Sequence, residues 1–117
     1  MNSILQMSDQ EILDGVNPII DNLMQGSTEI DYVMHSRHFT DRMKAQLSSE
    51  QFKIMCREYQ TKIGFFTRRD FIRLFRREHS VAVIWRQHSS KSSDEFVAEA
   101  VFVPDGSSWL VDHAMVF

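Results

Sequence analysis

The sequence predicts an α+β fold in which N-terminal helices pack on a four-stranded antiparallel sheet. Three features carry that reading. Up to Gly64, apolar residues recur at helical spacing behind serine and threonine caps. Beyond Gly64 the chain turns to β-branched and aromatic residues in period-two alternation. Between two such runs, Pro104-Asp105-Gly106 is a turn signal, because proline presets φ and glycine accepts φ > 0. Helices first and strands afterwards is the order of a layered α+β domain.

Ser8-Asp9-Gln10-Glu11 matches a capping box, in which serine and glutamate satisfy each other's orphan backbone donors. Ile12, Leu13, Val16, Ile19, Ile20, Leu23 and Met24 follow at helical spacing, with Gly26 as the expected stop. Pro18 lies inside this pattern and is expected to kink or interrupt the helix near 14–18. A second helix is expected over about 28–36. Thr40 is placed to cap a short turn, TDRMKAQL, and Ser48 or Ser49 to cap a longer helix ending at Gly64. In that helix Phe52, Met55, Cys56, Tyr59 and Ile63 make one apolar stripe. Three strands are expected at about 80–88, 94–103 and 108–117.

FFTRRDFIRLFRREHS, residues 65–80, reads two ways. Thr67-Arg68-Arg69-Asp70 resembles a capping box, and Phe71, Ile72, Leu74 and Phe75 could form a helical face. As a strand, both faces are partly apolar and a bulge must absorb the imperfect phase. The strand is the better choice: a three-stranded sheet has too little breadth to cover the helices, and this is the only material left for a fourth. A nucleic-acid surface is not expected, because Asp70 and Glu78 dilute the charge and the net charge is −3. Long arginine stems over sheet edges are the simpler reading.

The 117 residues fit a single domain, 1–117, with helices over about 8–64 and strands over about 65–117. Such a chain can bury roughly two-thirds of its unfolded surface without disulfides or metals. Its 43% hydrophobic and 25% charged residues are ordinary globular values. The single Cys56 fits a reducing compartment. No apolar run approaches ~18 residues, and MNSILQMSDQ lacks the pattern of a signal peptide, so a cytoplasmic protein without a membrane partner is expected.

The element order, the Tyr59 to Gly64 helix end and the closing run PDGSSWLVDHAMVF resemble the cystatin-like fold of the nuclear-transport-factor-two-like superfamily. That group includes ketosteroid isomerase, scytalone dehydratase and SnoaL-type cyclases. The resemblance covers nearly the whole chain. It implies a curved sheet wrapped around helices as a cone, frequent dimers and often a pocket inside. It does not imply one reaction. Enzyme members place a carboxylate base or a histidine–aspartate pair in the pocket, and no residue here aligns with such a group.

By analogy with that closing strand, Trp109, Val111, His113 and Met115 face the helices. His113 is then an inner histidine, either a general acid or base or a core residue bonded to a carbonyl or hydroxyl. A pocket lined by Met55, Trp85, Phe96 and Trp109, with Tyr59 and His113 as polar points, matches the usual character of small-molecule sites. It equally matches a filled core. Asp31, His35 and His38 share a face if one helix carries all three. They are candidates for a metal site or a base and its orienter, or simply solvated helix-end residues, and no bound metal or cofactor is expected. Cys56 reads as a small core residue rather than a nucleophile. The opposite sheet face would carry Ile84, Val97, Val101, Val103, Leu110, Ala114 and Val116, interrupted by Arg86, Glu99 and Asp112. That is a large apolar patch for a monomer, so a homodimer through this face is expected. The two functions left open are a small dimeric binding or accessory domain for an apolar ligand, and a pocket enzyme for proton-transfer chemistry (isomerase, dehydratase or cyclase type) using His113.

Overall fold

The computed structural model describes residues 3–117. A single helical turn, Ile4–Gln6, leads into α1 (Asp9–Glu29), α2 (Tyr32–His35), α3 (Asp41–Gln46) and α4 (Ser49–Ile63). The strands β1 (Phe66–Arg76), β2 (Val81–Ser89), β3 (Phe96–Asp105) and β4 (Ser108–Val116) follow. They form one antiparallel meander in the order β1-β2-β3-β4. The helices pack on one face, which makes the α+β architecture expected from the sequence.

The caps act as the sequence predicts. Ser8 and Glu11 close a capping box on α1, Ser48 and Gln51 close one on α4, and Thr40 caps α3. Two expectations about α1 are corrected. Pro18 does not interrupt it, and the helix runs unbroken from Asp9 to Glu29. Burial of Ile12, Val16, Ile19, Ile20 and Leu23 on both sides of the proline outweighs the one missing backbone donor. Nor does Gly26 end the helix. Ile30 does, in the left-handed region at φ 54°. A β-branched residue is strained there. Gly26 instead lets α2 approach: a Cβ on it would stand 2.5 Å from the His35 backbone nitrogen.

Residues 66–76 are a strand, with register shifts between Phe66 and Arg69 and between Phe71 and Arg73. These shifts reconcile its uneven apolar phase with one buried face. Its arginines tie the sheet to α1. The Arg69 guanidinium donates to Asp21 at 2.6 Å, and Arg76 pairs with Asp9 and donates to the Met7 carbonyl at 2.7 Å. Each surface pair of this kind contributes up to about 1 kcal/mol.

The inner sheet face carries Val81, Val83, Trp85, Ala98, Ala100, Phe102, Trp109 and Val111, all buried against α1 and α3. β4 then breaks phase. Val101 pairs with His113 but Phe102 pairs with Val111, so Asp112 is an extra residue in a bulge. Alongside it, the Val111 N–H donates to the His38 carbonyl at 2.7 Å and the Thr40 N–H to the Val111 carbonyl at 2.9 Å. Pro104 needs no donor on its β2 side, because β2 begins opposite Phe102. Among the described residues no helix is long and apolar enough to cross a membrane.

Gly26→Ala is expected to destabilise the protein by about 1–3 kcal/mol, because the atoms in the way belong to the His35 backbone and cannot rotate aside. Urea denaturation checks this; an unchanged midpoint would mean that α2 can move freely from α1.

Candidate functional site

Helices and sheet do not close on one another. Between them lies an open cavity of about 360 Å³, within the range of small-molecule sites. Two features of the sequence create it. The sheet floor carries the small side chains Ala98 and Ala114. Opposite them, the apolar stripe of α4 is split. Phe52 and Cys56 are fully buried, while Met55 lines the cavity and remains 45% exposed. α4 therefore reaches the sheet mainly through its far end, where the rings of Tyr59 and Phe66 stack at 4.6 Å. Met24, Met43 and Met55 give the walls a flexible, polarisable character.

Three of the polar residues, Ser27, His35 and Tyr59, gather where α1, α2 and α4 meet, while Gln46 of α3 and Glu99 of β3 border the cavity elsewhere. His35 is buried between Phe39 and Phe52, with ring centroids 5.3 and 4.5 Å away. Its Nδ1 lies 2.8 Å from the Leu23 carbonyl, which can only accept. Nδ1 therefore carries the proton and Nε2 of the neutral ring carries a lone pair. Nε2 has no hydrogen-bond partner among the described residues, nor is it one of the sealed, unpartnered polar atoms. His35 is among the residues that line the cavity, and Nε2 is the ring nitrogen left free to meet a ligand there. Burial holds the His35 pKa below its ordinary value of 6.5, and the Leu23 bond opposes this only in part. Beside it, Ser27 Oγ and Tyr59 Oη are hydrogen-bonded at 2.7 Å. Gln60 Nε2 braces them, donating to the Ser27 carbonyl at 3.2 Å and to Tyr59 Oη at 3.3 Å. Cys56 Sγ stands 3.7 Å from Ser27 Oγ, and burial raises its pKa, which keeps it a thiol.

Of the residues singled out from sequence, Tyr59, Trp85 and Met55 line this cavity. Phe96 is half-buried at the start of β3, outside the lining, and Trp109 packs against Gly15 of α1. His113 is corrected outright. The bulge at Asp112 turns Ala114 and Val116 inward and sends His113 and Met115 to the outer face. There His113 Nε2 contacts Glu99 Oε2 at 2.6 Å. Asp31, His35 and His38 are not brought together. Asp31 accepts from the Met34 N–H at 3.0 Å as the cap of α2, His35 turns inward, and His38 lies beyond the end of that four-residue helix. Among the described residues no three His, Cys, Asp or Glu side chains are grouped to hold a metal ion. Sequence reasoning missed His35 as the cavity's histidine, together with Ser27. The available signal was Asp31, a good cap three residues before Met34, which fixes the phase of α2.

Protonation of His35 must be paid for by its desolvation, so stability is expected to fall as pH drops below 6.5, the value in the unfolded chain. The sign follows from linkage: the unfolded chain binds the extra proton in that window, and the loss levels off below the folded pKa. His35→Asn keeps a donor to Leu23 but cannot titrate, so it should remove this part of the pH dependence. Thermal melts of both proteins from neutral to mildly acid pH check this, and parallel curves would contradict it.

No family model matches the chain, and no curated protein matches it. Among solved structures it is similar to Bd1075 of Bdellovibrio bacteriovorus, over 95% of its own length, at 10% identity and a TM-score of 0.56. The chain spans 44% of that protein. It is also similar to a DUF4783 family protein from Bacteroides ovatus ATCC 8483, over 81% of this chain and 90% of that one, at 11% identity and a TM-score of 0.48. At such identity the likeness to Bd1075 is one of fold alone.

Proposed function

We propose that this protein is a small-molecule-binding domain of the nuclear-transport-factor-two-like type, which works as a dimer and takes an apolar ligand between its helices and sheet. The observation that carries this reading is the open cavity of about 360 Å³, apolar on most sides with three of its polar residues at one helix junction. A core built only for stability would fill that space, since an unfilled void forfeits dispersion contacts. The free, buried Cys56 suits a reducing compartment such as the cytoplasm. His35, an unprotonated imidazole on the wall, supports a second reading: proton-transfer catalysis of the isomerase, dehydratase or cyclase kind, with the base moved from His113 to His35.

The occupant proposed for the outer sheet face is a second copy. Ile84, Val97, Val101, Val103 and Leu110 lie there as the sequence predicted, joined by Phe75 and Met115, which are 46% and 52% exposed. Ala114 and Val116 leave that face, and Asp112 is engaged by Thr40 and Arg42 at 2.8 and 3.1 Å, so it is not the cross-subunit partner of Arg86. Glu99 and the half-exposed Arg86 remain on this face with opposite charges, Glu99 held by His113 at 2.6 Å and Arg86 near Glu95 at 3.5 Å, and a two-fold arrangement would bring Arg86 of one copy toward Glu99 of the other only by exchanging those partners. Such an interface should bury on the order of 1,200–2,000 Å².

Ala114→Ile is the test of the cavity. It should preserve or raise stability, by up to about 2 kcal/mol, while weakening binding of an apolar fluorescent probe such as N-phenylnaphthylamine at least roughly tenfold. A wild type that leaves the probe in water would sink the reading. Val101→Lys is the test of the dimer. Sedimentation at tens of micromolar (on the order of 10 µM and above) should show a wild-type dimer and a monomeric variant; a monomeric wild type or a dimeric variant would reject this interface.

A further inference from the structure

The chemistry of the cavity wall narrows the ligand further than its shape does. Among the described residues the only basic side chain that lines it is the His35 imidazole, and no lysine or arginine does. Among the described residues Glu99 is the one acidic residue that borders the cavity, and its carboxylate turns to the outer sheet face, where His113 meets it at 2.6 Å. Around His35 itself stand the Leu23 carbonyl and Gly26 of α1, Phe39 beyond α2, Phe52 of α4, and across the junction the Ser27–Tyr59 hydroxyl pair. None of these groups is charged. Tyr59 Oη accepts from Gln60, one hydroxyl proton lies between Tyr59 Oη and Ser27 Oγ, and Cys56 Sγ stands 3.7 Å from Ser27 Oγ as a further partner of that pair. The group left without a partner at this end is Nε2 of His35, a lone pair in apolar surroundings, where an unmet hydrogen bond is costly. A lone pair calls for a donor. An anion entering here would lose its hydration and find no fixed positive charge.

We propose that the cavity selects an apolar, ring-bearing ligand whose hydroxyl donates to His35 Nε2, and that it discriminates against the carboxylate of the same shape. This rests on the reading of the cavity as a ligand site. Leu23 sets the selectivity through its carbonyl, by fixing which ring nitrogen keeps the proton. The methionines accommodate the apolar body without fixing its outline.

The test uses the full chain and three biphenyl probes of similar size: para-phenylphenol, para-methoxybiphenyl and biphenyl carboxylate, titrated by calorimetry at neutral pH. The phenol should bind on the order of tenfold more tightly than the other two, the worth of one well-placed hydrogen bond. His35→Asn should abolish the preference for the phenol over the methoxy compound. In the wild type, acidification through the folded pKa of His35, which lies below 6.5, should weaken the phenol alone, as Nε2 gains a proton and can no longer accept. This pH series decides the matter even if the variant folds poorly. Equal binding of phenol and methoxy compound, or tightest binding of the carboxylate, overturns the hydroxyl assignment while leaving the cavity a ligand site. Binding of none of the three overturns the ligand-site reading and this proposal with it.

Discussion

The bulge at Asp112 is the constraint on which both faces of the sheet depend. One extra residue there moves every later side chain of β4 to the opposite face. Ala114 and Val116 turn to the helices and leave an open floor, while His113 and Met115 turn outward. The bulge is held from outside β4. Asp112 accepts from the Thr40 hydroxyl and pairs with the Arg42 guanidinium at 3.0 Å, which keeps its carboxyl below the ordinary aspartate range. Two backbone hydrogen bonds, from the Val111 N–H to the His38 carbonyl and from the Thr40 N–H to the Val111 carbonyl, fix the strand just before it. The α3 cap, the sheet register and the cavity floor are thus one connected arrangement.

A second arrangement sets the opposite wall. Ile30 ends α1 in a left-handed conformation, Asp31 caps α2, and Gly26 admits the His35 backbone at short range. The short α2 thereby directs its one histidine between Phe39 and Phe52 and on to the Leu23 carbonyl. α1 and α3 join both walls through the common core, whereas α4 meets the sheet chiefly through Tyr59 and its stack on Phe66. That sparse bridging leaves α4 lightly anchored on its sheet side, with Ile54 and Met55 more than 40% exposed. The cavity is thus bordered by a helix with few ties to the sheet, a feature of the low-stability end of a fold.

Much of this was legible in the chain. Ser8, Thr40 and Ser48 announce their helices, because a capping side chain acts within three residues of itself. The strand at 66–76 followed from area, since the helices need a fourth strand beneath them. What depends on distant partners was not legible. Nothing in WLVDHAMVF marks a bulge, because the groups that hold Asp112 lie 70 and 72 residues earlier. His113 was placed on the wrong face for that reason. His35 was visible as a residue but not as a wall of the cavity, since its direction depends on a β-branched Ile30 adopting a conformation it disfavours. Ala98 and Ala114 become a cavity only because Met55, rather than a larger ring, stands across from them on α4.

The two edges of the sheet differ in how they are closed to other chains. The outer rim of β4 is met at its centre by the segment around Phe39, which takes the backbone groups of Val111. Among the described residues the rim of β1 has no neighbouring strand, and it presents Phe71, Ile72 and Phe75 to solvent. Such a run would ordinarily template strand addition and fibril growth. Two register shifts and the charges of Arg68, Arg73 and Arg77 interrupt it. The arginines scattered through that strand therefore act as gatekeepers, and they let an aromatic-rich edge persist without recruiting copies of itself.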